Sequence, residues 1–397
     1  MSVVLNFGCR LNACESDAIR GMAVGGGGTI VNTCAVTGEA ERTARAAIRR
    51  LAREQPGAAI TVTGCAATLD PAAWAALPGV TRVVPNAAKL EPSTWSATPG
   101  YAIHALATPP PAPRGRAREF LQVQKGCDHR CTFCIIPFAR GPSRSVPLGM
   151  LVRQLQAMVA AGAQECVLTG VDVTSYGPDL PGAPSLGETI RRLLVLVPDL
   201  PRLRLSSLDP AAIDDGLWAL LADEPRLMPH LHLSLQAGSD LVLKRMRRRH
   251  SRAGALFAIA RARALRPGIA IGADLIAGFP TETEALFAET LHFVAEAALP
   301  YVHVFPYSER PGTPAVRMPA VAPAIRRERA ARLRAAALPH AAALHGAQLG
   351  QEVEIVVERG GQGHTQHFAP VRLTGSFTVG ALARVRVRAA TAAGLVA

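Results

Sequence analysis

Cys127, Cys131 and Cys134 stand in the run Gln124-Lys-Gly-Cys-Asp-His-Arg-Cys-Thr-Phe-Cys134, a C-x3-C-x2-C spacing that opens directly after an apolar stretch. Three thiolates on one short loop can ligate three irons of a [4Fe–4S] cubane. The fourth iron is then open to a chelating substrate, and the amino and carboxylate groups of S-adenosylmethionine (SAM) suit it. Electron transfer from such a cluster cleaves the sulfonium and leaves a carbon radical. The same loop could instead hold zinc, with His129 as a possible fourth ligand.

Three further cysteines share a different logic. Val3-Val-Leu-Asn-Phe7, Thr29-Ile-Val-Asn-Thr33 and Ile60-Thr-Val-Thr63 read as short β-rich strands, and Glu39 to Arg53 reads as an amphipathic helix. Such alternation predicts an α/β unit with a parallel sheet. Cys9, Cys34 and Cys65 each stand just past one of these strands. In a parallel sheet those strand ends share one edge, where open α/β sheets carry their sites. The three thiolates are therefore expected to converge as a second cluster site with its own open iron. The alternative is three ordinary buried cysteines. Cys14 and Cys166 lack this placement and read as packing residues.

The elements that must position these groups divide the chain of 397 residues into three domains. Residues 1–95 form the first. Residues 96–117, with Thr108-Pro-Pro-Pro-Ala-Pro113, have the composition of a stiff linker. Residues 118–345 carry strand patterns at 119–124, 165–171, 202–208, 230–236, 270–277 and 301–307. Helix patterns fall between them at 148–161, 186–197, 211–222, 240–265 and 282–297. That rhythm predicts a partial (β/α)6 barrel with the Cys127 loop after its first strand, where barrel sites gather. Ala324 to about Leu344 reads as a helix interrupted at Pro339. Residues 346–397 alternate with period two and read as a small antiparallel β-barrel, a type that often binds nucleic acid. Arg384, Arg386 and Arg388 fall on one face of a strand in this last domain.

Net charge is +13 and the pI about 10.1, which suits a polyanion such as RNA or DNA. Only Lys89, Lys125 and Lys244 are lysines, so the arginine surplus also reflects the chain's Ala/Gly/Arg-rich composition. No uninterrupted apolar stretch of membrane-spanning length appears. The first residues have neither a basic n-region nor a small-residue cleavage site, so a cytoplasmic protein without a membrane partner is expected. Eight cysteines in that compartment point to metal or redox chemistry rather than disulfides.

Taken together, the sequence resembles the methylthiotransferase family of radical SAM enzymes over almost its whole length. The likeness is carried by Phe7-Gly-Cys-Arg-Leu-Asn12 with Glu15, Val31-Asn-Thr-Cys-Ala-Val-Thr37 and Thr63-Gly-Cys65. It continues in Gly126-Cys-Asp-His-Arg-Cys-Thr-Phe-Cys-Ile-Ile-Pro137, Arg140-Gly-Pro-Ser-Arg144 and Leu168-Thr-Gly-Val-Asp172. Later matches are Arg204-Leu-Ser-Ser207, His232-Leu-Ser-Leu-Gln-Ala-Gly-Ser-Asp240, Asp274-Leu-Ile-Ala-Gly-Phe-Pro280 and Phe305-Pro-Tyr-Ser-Glu-Arg-Pro-Gly-Thr313.

The resemblance implies an N-terminal cluster domain, a radical SAM partial barrel and a C-terminal TRAM domain. It further implies two [4Fe–4S] clusters. The one on Cys127, Cys131 and Cys134 would reduce SAM to a 5′-deoxyadenosyl radical, and the one on Cys9, Cys34 and Cys65 would carry the sulfur. Phe133 would pack near the SAM adenine, and Gly170, Asp172, Arg204, Ser206 and Gln236 would line the SAM and substrate pocket. The runs after Cys34 and Cys134 are most similar to the MtaB branch, which methylthiolates carbon 2 of N6-threonylcarbamoyladenosine at tRNA position 37, in the anticodon loop. Branches acting on isopentenyladenosine-37 or on a ribosomal-protein aspartate are the alternatives within the family, and a zinc-dependent RNA-binding protein is the alternative outside it. An electron donor and a sulfur source are the further partners implied. Two departures stand out: the short Gly25–Gly28 bridge between Cys9 and Cys34, where relatives carry a longer segment, and Ser234 where proline is commoner.

Overall fold

The computed structural model describes residues 2–23, 27–95 and 117–397. The proline-rich run expected to be a linker lies outside the described residues.

Near the N-terminus, β1 (Val3–Asn6), β2 (Thr29–Thr33), β3 (Ile60–Gly64) and β4 (Val80–Val84) form a four-stranded all-parallel sheet in sequential order. Helices α1 (Arg10–Met22), α2 (Gly38–Glu54), α3 (Cys65–Leu69) and α4 (Pro71–Ala75) connect them. The three expected strands are present. The fourth, Val-Thr-Arg-Val-Val, was missed; it follows the left-handed Gly79 and holds its place by pairing with β3. α2 starts where Thr37 accepts a hydrogen bond from the Ala40 amide, and it buries Ala44 and Ile48 against the sheet.

The central part begins with β5 (Glu119–Gln122). Two-residue strands β6 (Gln124–Lys125) and β7 (Arg144–Ser145) pair antiparallel and pinch off the Cys127 loop, which carries α5 (Ile136–Arg140). Then follow α6 (Leu148–Ala160), β8 (Glu165–Thr169), α7 (Leu186–Leu196), β9 (Arg202–Leu205), α8 (Asp215–Asp223) and β10 (His230–Gln236). α9 (Asp240–Met246), α10 (Arg252–Leu265), β11 (Ala270–Ala277), α11 (Glu284–Glu296) and β12 (Tyr301–Pro306) complete it. Parallel runs β5-β8-β9 and β10-β11-β12 meet through bridges at Leu203–Leu227 and Leu208–Leu233, giving the expected six-stranded partial barrel. Its core is aliphatic, built around Leu121, Leu168, Leu205, Leu233 and Leu275.

Two helix expectations need correction. The pattern over 240–265 is two helices, because Arg247 takes the left-handed conformation (φ 57°) and Ser251 caps a new helix through the Gly254 amide. Conversely, α12 (Pro323–Gly346) runs through Pro339 without a break. A helix-interior proline costs about 3 kcal/mol, and burial of Leu333, Ala337 and Ala341 on either side of it holds the helix together.

Beyond α12, strands β13 (Glu352–Glu358), β14 (Gln362–Thr365), β15 (Pro370–Arg372), β16 (Leu382–Arg386), β17 (Ala389–Thr391) and β18 (Gly394–Val396) form one sheet, ordered β16-β13-β14-β15-β18-β17. It is antiparallel except for β15 and β18, a parallel pair that departs from the fully antiparallel expectation. The sheet docks on the barrel through buried charge: Arg202 pairs with Glu354 at 2.7 Å, and Arg118 with Glu358 at 2.5 Å. Among the described residues no helix is long and apolar enough to cross a membrane.

Candidate active site

Cys9 precedes the first residue of α1, Cys34 follows β2, and Cys65 opens α3 directly after β3. The parallel order of the sheet brings all three to its C-terminal edge, where they line one cavity. Gly64 makes the turn into Cys65 at φ 102°; a Cβ there would sit 2.3 Å from the Thr33 carbonyl oxygen. Burial pushes the Cys34 thiol up to about 11, against a hydrogen bond to its sulfur from the Val36 amide at 3.4 Å.

On the facing wall, the Cys127 loop leaves β6 through Gly126 at φ 73°, where a Cβ would lie 1.9 Å from the Pro142 carbonyl oxygen. Thr132 ties the loop to the end of α9, donating from its amide to the Met246 carbonyl at 3.1 Å and from Oγ1 to the Arg245 carbonyl at 2.8 Å. Burial raises the Cys127 and Cys134 thiols to about 11 and 12. All six sulfurs are free thiols. A bound metal favours the thiolate form against the burial of Cys34, Cys127 and Cys134, and soft thiolate sets suit zinc as well as iron–sulfur clusters. The donor sets therefore fit the implied clusters. His129, the fourth ligand of a zinc reading, has its Nε2 2.8 Å from Asp172 Oδ2.

Arg140, at the end of α5, joins the two cysteine sets. Its Nε donates to Cys65 Sγ at 3.1 Å, Nη1 and Nη2 donate to the Glu15 carboxylate at 2.7 and 2.9 Å, and Nη2 also donates to Asn12. Lys89 closes the network at 2.6 Å from Glu15. Burial alone would raise the Glu15 carboxyl; Arg140 and then Lys89 overcome it and hold it at about 2. Ile135 and Ala139 of the loop join the core of the N-terminal sheet, so apolar packing backs the same contact. A second cation, Arg248, lies 3.6 Å from Cys131 Sγ and is held by Asp209 at 3.1 Å. Neither arginine was singled out from sequence. For Arg140 the signal was a lone cation six residues past Cys134, ending an apolar run.

The cavity that Cys9, Cys34 and Cys65 line measures 860 Å³, within the range of about 300–1,000 Å³ typical of ligand sites. Phe133, Gly170, Ser206 and Gln236 line it. Gln236 ends β10 at φ 70°, next to a break in strand register; non-glycine residues in this conformation cluster at functional sites. Asp172 sits behind the wall beside the Cys127 loop. Burial would raise it, but hydrogen bonds from His129, Ser175 (2.6 Å) and Thr174 (2.7 Å) hold it at about 2.

Arg204 departs from its expected place. It points away from the cavity and is fully buried, with Nε and Nη2 on the Glu165 carboxylate at 2.9 and 3.1 Å and further bonds to the Thr365 and Gln366 carbonyls. With four of its five donors taken, this guanidinium holds the C-terminal sheet on the barrel. Missed from sequence was a polar group on the inner barrel wall: His232 on β10, Asp274 on β11 and His303 on β12. His232 Nε2 is 2.9 Å and His303 Nδ1 3.5 Å from Asp274 Oδ1. His232 and Asp274 each open a run that carries the resemblance, but nothing local shows that they meet each other and His303 across the barrel.

On the C-terminal sheet, Arg384, Arg386 and Arg388 are exposed and alternate with buried Val385 and Val387. Cys14 donates to the Phe120 carbonyl, and Cys166 lies in the barrel core, so both pack as expected.

Residues 121–294 match the radical SAM superfamily, and residues 2–84 match the family described as uncharacterized protein family UPF0004. The chain is 45% identical over 392 residues to the threonylcarbamoyladenosine tRNA methylthiotransferase MtaB of Rickettsia prowazekii, covering 95% of this chain and 92% of that protein. It is 35% identical to the protein of the same name from Bacillus subtilis, covering 79% of this chain and 74% of that one. Among solved structures, the radical SAM methyltransferase TsrM of Kitasatospora setae superposes with a TM-score of 0.52 at 18% identity. That match covers 77% of this chain and 66% of TsrM, and it speaks to fold alone. Three strand-end cysteines on one cavity, a C-x3-C-x2-C loop beside it, a six-stranded partial barrel and close likeness over nearly the full length make this chain a member of the radical SAM methylthiotransferase family, in its MtaB branch.

Proposed function

We propose that the protein methylthiolates carbon 2 of N6-threonylcarbamoyladenosine at position 37 of tRNA. The observation that carries this reading is one cavity lined by Cys9, Cys34 and Cys65 and by Phe133 and Arg140 from the Cys127 segment, with Arg140 donating to Cys65. Chemistry that both activates a carbon and delivers sulfur to it needs two metal sites within reach of one substrate atom. Cys127, Cys131 and Cys134 would hold one [4Fe–4S] cluster, and Cys9, Cys34 and Cys65 a second. With SAM bound, these groups supply radical cleavage of the sulfonium, hydrogen abstraction at the target carbon, and the sulfur and methyl that replace the hydrogen.

The chain's own residues bind and exclude. Phe133, on the Cys127 loop and packed against the cluster that holds Val242, Met246 and Phe279, offers an apolar face for the SAM adenine. Gly170, Ser206 and Gln236 line the wall for SAM and the flipped base, and Asp172 orients the loop through His129. Exposed Arg384, Arg386 and Arg388 suit phosphate contacts around an anticodon loop. The domains assigned to these tasks are 1–95, 118–345 and a TRAM-like 346–397, working in the cytoplasm with an electron donor and a sulfur source. The substrate follows the names of the relatives, of which the Rickettsia protein is 45% identical. Mass spectrometry of tRNA nucleosides tests it. Cells lacking the protein should accumulate N6-threonylcarbamoyladenosine and lose its 2-methylthio derivative; an unchanged nucleoside profile would sink the proposal.

A further inference from the structure

Arg10 is the residue after Cys9 and the first of α1, and its side chain lines the cavity. It belongs to a group of arginines around the C-terminal sheet's Phe368, whose ring lies 5.8 Å from the Arg10 guanidinium carbon, 5.0 Å from that of Arg118 and 4.9 Å from that of Arg204. The other members are spoken for: Arg118 pairs with Glu358, Arg204 with Glu165, and nearby Arg202 with Glu354. Arg10 makes no ion pair or hydrogen bond among the described residues. The carboxylate of Asp274 faces the same space but already accepts from His232 at 2.9 Å and from Ser207 at 3.1 Å. A half-buried guanidinium with free donors, crowded by two others, is costly unless an anion arrives from outside.

Position decides which anion. In a purine, C2 and C6 flank N1 on one edge, so a substituent on N6 runs alongside C2. A base whose C2 faces the sulfur-bearing Cys9 set therefore presents its N6 substituent to the residue next to Cys9. We infer that Arg10 receives the carboxylate of the amino-acid substituent on N6 of the target adenine and so sets the preference for a carboxylated over an apolar or neutral substituent. This rests on the substrate reading above. A backbone phosphate of the same RNA is the other source of an anion, and Arg10 donors could serve either.

Binding to the full-length protein separates these. Two anticodon stem-loop RNAs are compared by fluorescence anisotropy, one carrying N6-threonylcarbamoyladenosine and one carrying its threoninamide analogue, which keeps every phosphate and removes one negative charge. The wild-type protein should bind the carboxylate RNA about 10- to 100-fold more tightly. Arg10→Gln should erase that preference by weakening the carboxylate RNA alone, and Arg10→Lys should keep part of it. Equal weakening of both RNAs, with the log Kd against log salt slope reduced by about one, would identify a phosphate contact and overturn the inference. So would an Arg10→Gln protein that keeps the full preference with native iron content. A wild-type protein that ignores the carboxylate but prefers an isopentenyladenosine RNA would instead refute the substrate reading itself.

Discussion

Replacing Arg140 by methionine removes the cation that joins the two cysteine sets. The Glu15 carboxyl, held at about 2 against its ordinary 4.5, is worth roughly 3 kcal/mol of stability at neutral pH. Arg140 supplies most of this. It heads the causes that lower Glu15, while burial pushes Lys89 down and weakens it as a lone counter-ion. Arg140→Met should therefore cost about 2–3 kcal/mol, or roughly 4–12 °C in Tm for a cooperative unit of 150–250 residues. Thermal and urea unfolding of the metal-free protein measures it. The sign with pH follows from a depressed carboxyl: the contribution is fully present above about 4.5 and is lost as pH falls through about 2. The gap between wild type and variant should narrow over that window. Adding Glu15→Gln removes the stranded charge, so the double variant should recover part of the loss. A Tm equal to wild type, a gap indifferent to acid, or a double variant destabilised by the full sum of the singles would refute the reasoning.

Cys131→Ala should give no 5′-deoxyadenosine after dithionite reduction, because each of three ligands is needed to hold the barrel cluster; wild-type turnover would remove that assignment. A Cys9, Cys34 and Cys65 triple alanine variant should keep about four of eight irons and some SAM cleavage, yet insert no sulfur; normal insertion would make the N-terminal cysteines structural. Changing Arg384, Arg386 and Arg388 together to glutamine leaves buried Val385 and Val387 in place, so the fold should survive. The slope of log Kd for tRNA against log salt should then fall by about 2–3, and an unchanged slope would mean that these arginines only reflect composition. Deleting the C-terminal sheet is a poorer test, because it takes Glu354 from Arg202 and the Thr365 and Gln366 carbonyls from Arg204, both 1% exposed.

The cysteines and their elements were readable because their information is local. A C-x3-C-x2-C loop, a strand followed by Gly-Cys, and period-two or helical apolar patterns each lie within a few residues, and the parallel sheet converts strand ends into neighbours without further detail. Errors came where local preference was overruled or weak. α12 continues through Pro339 because its flanks are buried, and the 240–265 pattern divides because one arginine turned left-handed. Arg204 shows the sharper limit. The resemblance put it on the pocket, but side chains alternate between the faces of a strand, and Glu165 with two carbonyls of a distant sheet claimed its guanidinium. The same holds in reverse for Arg140, Arg10 and the His232–Asp274–His303 group. The residues they meet lie on other elements: Phe368 for Arg10, Asp274 42 residues from His232, and Glu15 125 residues from Arg140. Only tertiary structure decides which charges meet, because a side chain's electrostatic partners are set by the packing of elements and not by the order in which the chain delivers them.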